Sequence, residues 1–427
     1  MKRRLIAALA ALLVITLLAS CGDPGAFSDE ECLSDDVKRS EDSTLTFHYA
    51  DGAVESPLAY TNYIIGTTGF ALKQLRARAQ AEKGSFAFSP AAVTLQLSMT
   101  ANAASVDTRQ EILLALGGTL TLDDLNTCSS YFKSRMESVS RLGQAEAPAE
   151  AVELDGTMLI DRSVDVKSAF LQTNANFYGY DIYRYDFKGE HAAEKLDRCL
   201  KPYTESSGID VSQGGSLYTV TTSCVTDSWL KAYSDADVSA GTFAGAEGER
   251  LASFLRSDEK KVHTAKATGV LKYTEKNPLK LLLVLPDSSL GLDGYLEQFD
   301  SNELRALLGS VDITETVTAL IPEFAAESDG KGVSLADPLG KSGLYTLFTD
   351  KAGFSSIGFS QTAKLGDMYE IPPTFSLTRS GINMGGAAAS DAARPEVPAD
   401  AVIFDRPFLF LLLDNETDIP VFAGVIQ

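Results

Sequence analysis

Histidine is scarce in this chain of 427 residues. His48, His191 and His263 are the whole supply, and none stands at a paired ligand spacing such as HExxH. Metal chemistry built on imidazoles is therefore not expected. Cysteine is nearly as sparse, with five residues and no CxxC pair. That is too few for a disulfide scaffold and wrongly spaced for a zinc ribbon or a thioredoxin-like redox motif. Neither GxSxG nor GxxxxGK[ST] occurs, which removes the nucleophile elbow and the P-loop. No nucleophile–base pair marks the chain as an enzyme, and no cofactor is expected. Positive charge is short too: 37 Lys and Arg face 58 Asp and Glu, a net charge of −21. Such a surface neutralises no broad face of phosphates, so nucleic acid is not an expected partner, nor is electrostatic docking on anionic lipid.

What is present is ordinary globular composition, 44% hydrophobic and 22% charged. Length alone suggests two or three domains. The chain opens with Lys2, Arg3 and Arg4, and an apolar run from Leu5 to Ala19 is broken only by Thr16. The run is too short and wrongly flanked to span a bilayer comfortably, and it reads as a secretory signal over residues 1–20. Its end, Leu18-Ala19-Ser20-Cys21, resembles a bacterial lipobox. That resemblance implies cleavage before Cys21, a lipid on its thiol, and anchorage on the extracellular face of the bacterial cell envelope. Asp23, Asp29, Glu30, Glu31, Asp35, Asp36, Glu41 and Asp42 then meet only Lys38 and Arg39. A segment so charged and so poor in apolar groups buries too little to offset its ordering entropy. Residues 21–56 read as a flexible acidic tether, unless Cys32 pins them to the body. Outside the cytoplasm disulfides form, and Cys32, Cys128, Cys199 and Cys224 allow three pairings.

In the body, helical spacing runs from Tyr60 to Ala79. Ser89-Pro90 supplies an N-cap and a first-turn proline to a helix apolar nearly all round from Ala91 to Met99, which must be central. Thr108 to Glu111 has the form of a capping box, with Gly117 as the stop. Tyr131–Val139 and Ala192–Leu200 are further helical stretches. Strand signals cover Val152–Val164, Tyr180–Phe187, Leu217–Trp229, Leu279–Leu285 and Val317–Phe324. Phe408–Leu413 and Val421–Ile426 read as a hairpin. Helices cluster early and strands late, which favours one large α+β domain over a doubly wound sheet. From Gly381 to Pro398 runs a long stretch of small, then proline-flanked residues, lying between strands. A structureless connection of that length is functional or disordered.

Several motifs now line up. Ile403-Phe404-Asp405-Arg406-Pro407-Phe408-Leu409-Phe410 is followed by Asp414-Asn415 and by Phe422-Ala423-Gly424-Val425. Upstream stand Phe88-Ser89-Pro90, Asp107-Thr108 through Ile112-Leu113, Trp229 with Tyr233 four on, Leu281 to Pro286, and Asp350 to Ile357. In this order and spacing, from about Pro57 to Gln427, they resemble the serpin family. The resemblance implies three β-sheets, eight or nine helices, a single domain over 57–427 and an exposed reactive-centre loop over about 381–403. It implies a monomeric suicide substrate for a serine or cysteine protease. The protease cuts the loop, forms an acyl-enzyme, and is trapped when the loop enters the central sheet as a new strand. If Gly381 is the hinge glycine, then Met384, Gly385, Gly386, Ala387, Ala388 and Ala389 are the following hinge residues, and five of the six are Gly or Ala, as in inhibitory members. Trp229 marks the top of the central sheet, and Ser89 and Thr221 its opening region.

Two departures favour the alternative of a serpin-fold surface binding protein with no trapping activity. Ile382 is bulky and would have to be buried. The family's central Ser, Asn and His are replaced by Ala92, Thr221 and Ile371. The scissile bond falls at Glu396–Val397 when counted back from Pro407, with Arg394 and Pro395 as the other candidates. The resemblance also places Cys199 over the central sheet and Cys224 on it, which suggests Cys199–Cys224 and Cys32–Cys128 bridges.

Overall fold

The computed structural model describes residues 31–34, 37–39, 57–141, 151–189, 192–200, 204–212, 214–358, 363–384 and 396–427. In chain order the elements begin with β1 (Glu31–Cys32), α1 (Pro57–Ala81), β2 (Phe86–Phe88), α2 (Pro90–Ala103), α3 (Val106–Leu116) and α4 (Leu122–Arg141). There follow β3 (Ala151–Asp161), α5 (Ser168–Phe177), β4 (Asp181–Tyr185), α6 (Ala192–Cys199) and β5 (Leu217–Ser228). Next come β6 (Val238–Gly245), β7 (Gly248–His263), β8 (Ala267–Tyr273), β9 (Leu279–Pro286), α7 (Gly291–Gln298) and α8 (Ser301–Gly309). The last third holds β10 (Val317–Pro322), β11 (Phe324–Ala326), β12 (Val333–Ser334), α9 (Ala336–Lys341), β13 (Leu365–Glu370), β14 (Phe375–Leu377) and β15 (Gly381–Ile382). It closes with β16 (Val402–Ile403), β17 (Phe408–Asp414) and β18 (Pro420–Ile426).

Local chemistry explains the central helix. Ser89 is extended, its hydroxyl accepts from Ala92 N at 3.1 Å, and Pro90 opens α2 where a missing N–H costs nothing. Every side chain of α2 except that of Asn102 is buried. One expected cap is not used. Helix α3 begins at Val106, and Glu111 turns away to accept from Thr346 N at 2.8 Å.

The central sheet runs β1–β4–β3–β5, and β5 then meets β15–β14–β11 near one end and β13–β12 near the other. A second system runs β16–β10–β7–β8–β9–β17–β18–β2, with β6 also on β7. The 16-residue β7 serves two sheets: its first part pairs with β6 and β10, and Lys260 to His263 pair with β8. Three sheets result, as expected, in an α+β body with nine α-helices among the described residues. Strands β17 and β18 are buried along their whole length. Alternate residues of β17 enter different cores, Phe408, Phe410 and Leu412 one and Leu409, Leu411 and Leu413 the other.

Part of the acidic segment is docked. Glu31 and Cys32 pair with Arg184 and Tyr183 as an added edge strand, and Leu33 N donates to Ile182 O at 2.8 Å. The tether reading is therefore corrected for these residues, because pairing satisfies an edge that β4 would otherwise expose.

Tyr63, Tyr178 and Tyr180 are buried, and burial pushes all three phenols well above their ordinary value. The unfolded chain ionises first, so the stability these groups supply is complete below about pH 10 and is lost as pH rises. An alkaline titration followed at 295 nm should show these tyrosines ionising only in a cooperative step that coincides with loss of near-ultraviolet dichroism. A smooth titration with the fold intact would contradict this.

Candidate functional site

The expected loop begins where β5 ends. Trp229 follows β5 directly, and its indole N–H donates to Thr378 O at 2.8 Å. The backbone N–H groups of Trp229 and Tyr233 donate to Ser380 O and Arg379 O, each at 3.2 Å. The turn between β14 and β15 is thus held by the segment that the sequence marks with its only Trp. The ammonium of Lys272 lies 5.1 Å from the Trp229 ring centroid and 4.3 Å from that of Tyr233, and 2.8 Å from Glu259. Burial lowers the pKa of Lys272, and Glu259 opposes the shift.

Beyond that turn the chain re-enters the central sheet. Gly381 and Ile382 pair antiparallel with Ser228 and Asp227 of β5, and Ile382 pairs with Leu377 of β14. Ile382 is fully buried in the main core. The burial that the bulk of Ile382 demands is thus already met in this structure. Gly381 is required for close approach: a Cβ there would lie 2.0 Å from Asp227 O. The Asp227 carboxylate is buried and accepts from Asn277 N at 2.9 Å and Asn277 Nδ2 at 2.8 Å.

Lower in the sheet β13 runs parallel to β5, with Glu370 opposite Thr221. Ser89 and Thr221 are brought together through that glutamate. Glu370 accepts from Ser89 N at 2.9 Å and forms an ion pair with Arg78 of α1. Both charges are buried, Arg78 at 2% exposure and Glu370 at 0%. The Arg78 guanidinium also sits 4.6 Å from the Phe88 ring centroid. Burial raises the pKa of Glu370, against the pull of Arg78 and the Ser89 N–H. Ser89 Oγ donates to Val421 O at 2.8 Å, and the Thr221 hydroxyl has no hydrogen-bond partner among the described residues. Arg78 and Glu370 were not singled out from sequence. The only signal was an acid standing alone in the apolar run Met368-Tyr369-Glu370-Ile371.

At the far end of the loop, Glu396 is exposed and Val397 half-buried, and β16 pairs parallel with β10. Met384 is half-buried, while Cys21, Gly385, Gly386, Ala387, Ala388, Ala389, Arg394 and Pro395 lie outside the described residues. The two ends of the loop thus belong to different sheets.

The expected disulfides are not formed. Cys128 and Cys224 carry free thiols. Cys128 packs in the core beside Met158 and Ile160, whereas Cys32 packs against the cluster holding Leu159 and Tyr183. Those neighbours alternate along β3 and β4, so the central sheet separates the two cysteines. Burial pushes the Cys128 thiol up to about 12. Cys224 is exposed and donates to Glu153 Oε2 at 3.5 Å across the ladder. Among the described residues no cluster of His, Cys, Asp or Glu is placed to hold a metal ion, and no helix is long and apolar enough to cross a membrane.

The described residues form a three-sheet α+β body in which Gly381 and Ile382 belong to the central sheet and Val402 and Ile403 to a neighbouring one. Residues 66–427 match the model of the family described as Serpin (serine protease inhibitor), and the chain belongs to that family. Among its relatives is Ipis-1 of Ixodes persulcatus, 24% identical over 86% of this chain and 98% of that one. The native state of tengpin, a thermophilic serpin, superposes with a TM-score of 0.75 at 20% identity, covering 93% of this chain and 99% of that one. Human thyroxine-binding globulin, solved in complex with thyroxine, gives 0.71 at 16% identity over 86% of this chain and 98% of that one. The family is one of protease inhibitors rather than of catalysts.

Replacing one partner of the Arg78–Glu370 pair leaves a buried charge without its counter-ion. Arg78→Met should lower unfolding free energy by about 3–5 kcal/mol, whereas the double variant Arg78→Met with Glu370→Leu should cost clearly less. Denaturant titrations of the two variants check this, and equal losses would contradict it.

Proposed function

We propose that this chain is a suicide-substrate inhibitor of serine proteases, and of cysteine proteases with the same loop preference. The observation that carries the reading is the entry of Gly381 and Ile382 between β5 and β14. The central sheet already accepts the loop's first two residues as a strand, so a cut loop has a templated path to follow. The residues next in line, Gly385 to Ala389, are small enough to pass into a packed interior.

The target's nucleophile attacks the carbonyl carbon of Glu396, and the amine of Val397 leaves. The acyl bond then ties the protease to the C-terminal end of the segment running back to β15. Insertion of that segment draws the protease away and deforms its oxyanion hole, so the ester is not hydrolysed. Glu396 suits this role because it is exposed. A cut after Arg394 would place Pro395 in the leaving group, which most proteases reject. We further read Cys21 as the lipid-bearing residue that holds the inhibitor, as a monomer, on the outer face of a bacterial envelope.

Incubation with a panel of Glu-tolerant and other serine proteases should give an SDS-stable complex, and cleavage of the loop should raise the midpoint of thermal unfolding markedly. Cleavage with neither complex nor thermal gain would favour a binding protein without trapping activity. Glu396→Ala should slow complex formation with a Glu-preferring protease at least tenfold, and an unchanged rate would move the scissile bond elsewhere. In a bacterial host, Cys21→Ala should shift the protein from the membrane fraction to the soluble one.

A further inference from the structure

Asn383, directly after β15, is one of two non-glycine residues with positive φ among those described, at 51°. Its side-chain amide uses all of its hydrogen-bonding capacity. Nδ2 donates to Val225 O and to Thr374 O, both at 2.8 Å. Oδ1 accepts from Ser376 N at 2.7 Å and from Ser376 Oγ at 3.1 Å. The Asn383 backbone N–H donates to Ser376 O at 3.0 Å. One side chain therefore bridges β5 to the strand on the other side of the insertion path.

The sequence explains why a bridge is needed there. Pro372 and Pro373 carry no N–H, and they separate β13 from β14. Direct pairing with β5 stops at the bond from Ile371 N to Thr221 O. Above it, among the described residues, the β5 edge has no partner strand until Asp227 meets Ile382.

The register shows what the bridge occupies. Extending the pairing of Ile382 with Asp227 and Leu377 sets residue 383 opposite Ser376, and Met384 opposite Val225 and Phe375. In a continued ladder Ser376 N would bond to the carbonyl of residue 383. Here Oδ1 of Asn383 stands in for that carbonyl, which the left-handed φ has turned away. Val225 O and Thr374 O, which an incoming strand needs as acceptors, are likewise taken by Nδ2.

We propose that Asn383 is a clasp that stops the resting loop after two inserted residues and sets the rate at which the remainder enters the sheet. It positions the hinge for the inhibitory step, and so the proposal deepens the inhibitor reading and rests on it. For the loop to advance, Asn383 must turn from the left-handed to the extended region and release four side-chain hydrogen bonds before ladder bonds replace them.

The test uses the uncleaved chain and compares it with Asn383→Gly, which keeps the backbone free to adopt positive φ but has no amide, and with Asn383→Asp, which sets an anion against two carbonyl oxygens. Spontaneous conversion to the loop-inserted form is followed as the appearance of a thermally stabilised species at fixed elevated temperature. Hydrogen exchange is followed over 222–228 and 374–384. Conversion and exchange should both be about tenfold faster in the variants, roughly the effect of one or two net hydrogen bonds. Wild-type rates in both measurements for Asn383→Gly, or slower conversion, would overturn the clasp. Loop-cleaved wild-type chain separates the two ideas. If cleavage brings no thermal gain, the inhibitor reading fails, and the exchange comparison alone decides the clasp: faster exchange supports it and equal exchange overturns it.

Discussion

One edge of strand β5 governs the molecule. Backbone amides cannot stay buried and unpaired, since each would cost roughly 1–3 kcal/mol. On one side β5 pairs continuously with β3, from Ala151 opposite Thr226 to Ile160 opposite Leu217. The other side is shared among three makeshift partners: β13 in parallel, the amide of Asn383, and the two residues of β15. A full strand would satisfy that edge better than this patchwork does. The edge is thus satisfied, but by three separate partners rather than by one continuous strand.

What lies beneath that edge is chemically unusual. The opening region carries an ion pair, Arg78 with Glu370, at the centre of the fold, tied to the cap of α2 through Ser89 N. A buried pair is weak evidence of stability, because desolvating two charges offsets most of their attraction. It is better at fixing geometry. Glu370 is the last residue of β13, and Arg78 belongs to α1, so the pair ties a strand of the central sheet to a helix behind it. At the top of the sheet Lys272 joins Trp229 and Tyr233 to Glu259 in the same manner. Charge therefore holds both the end of β13 and the turn between β14 and β15.

Much of this was legible in the chain. The apolar run of α2, the hairpin of β17 and β18 and the N-cap at Ser89 follow from local spacing, and the structure keeps them. The hinge glycine and the Trp229 region were legible only through resemblance to a family, and the structure gives them reasons: a 2.0 Å approach to a carbonyl oxygen, and an indole donor. Other readings failed for causes that spacing does not carry. Thr108 to Glu111 has the form of a capping box, but Glu111 found a partner 235 positions away. Cys32 and Cys128 form a plausible pair until a sheet is placed between them.

Sequence by itself determined the α+β class of fold and placed a long run of small residues between strands. These are properties of composition and short periodicity, and they survive in any arrangement that buries the same faces. Only the tertiary structure decided how far the loop stands in the sheet, which charges sit at its opening, and that Asn383 occupies the hydrogen-bonding groups of the next ladder step. Each of those depends on residues more than a hundred positions apart: Ile382 with Asp227, Arg78 with Glu370, and Asn383 with Val225. The physical reason is that a backbone edge has no side-chain signature: which groups satisfy it is settled by what the fold brings alongside.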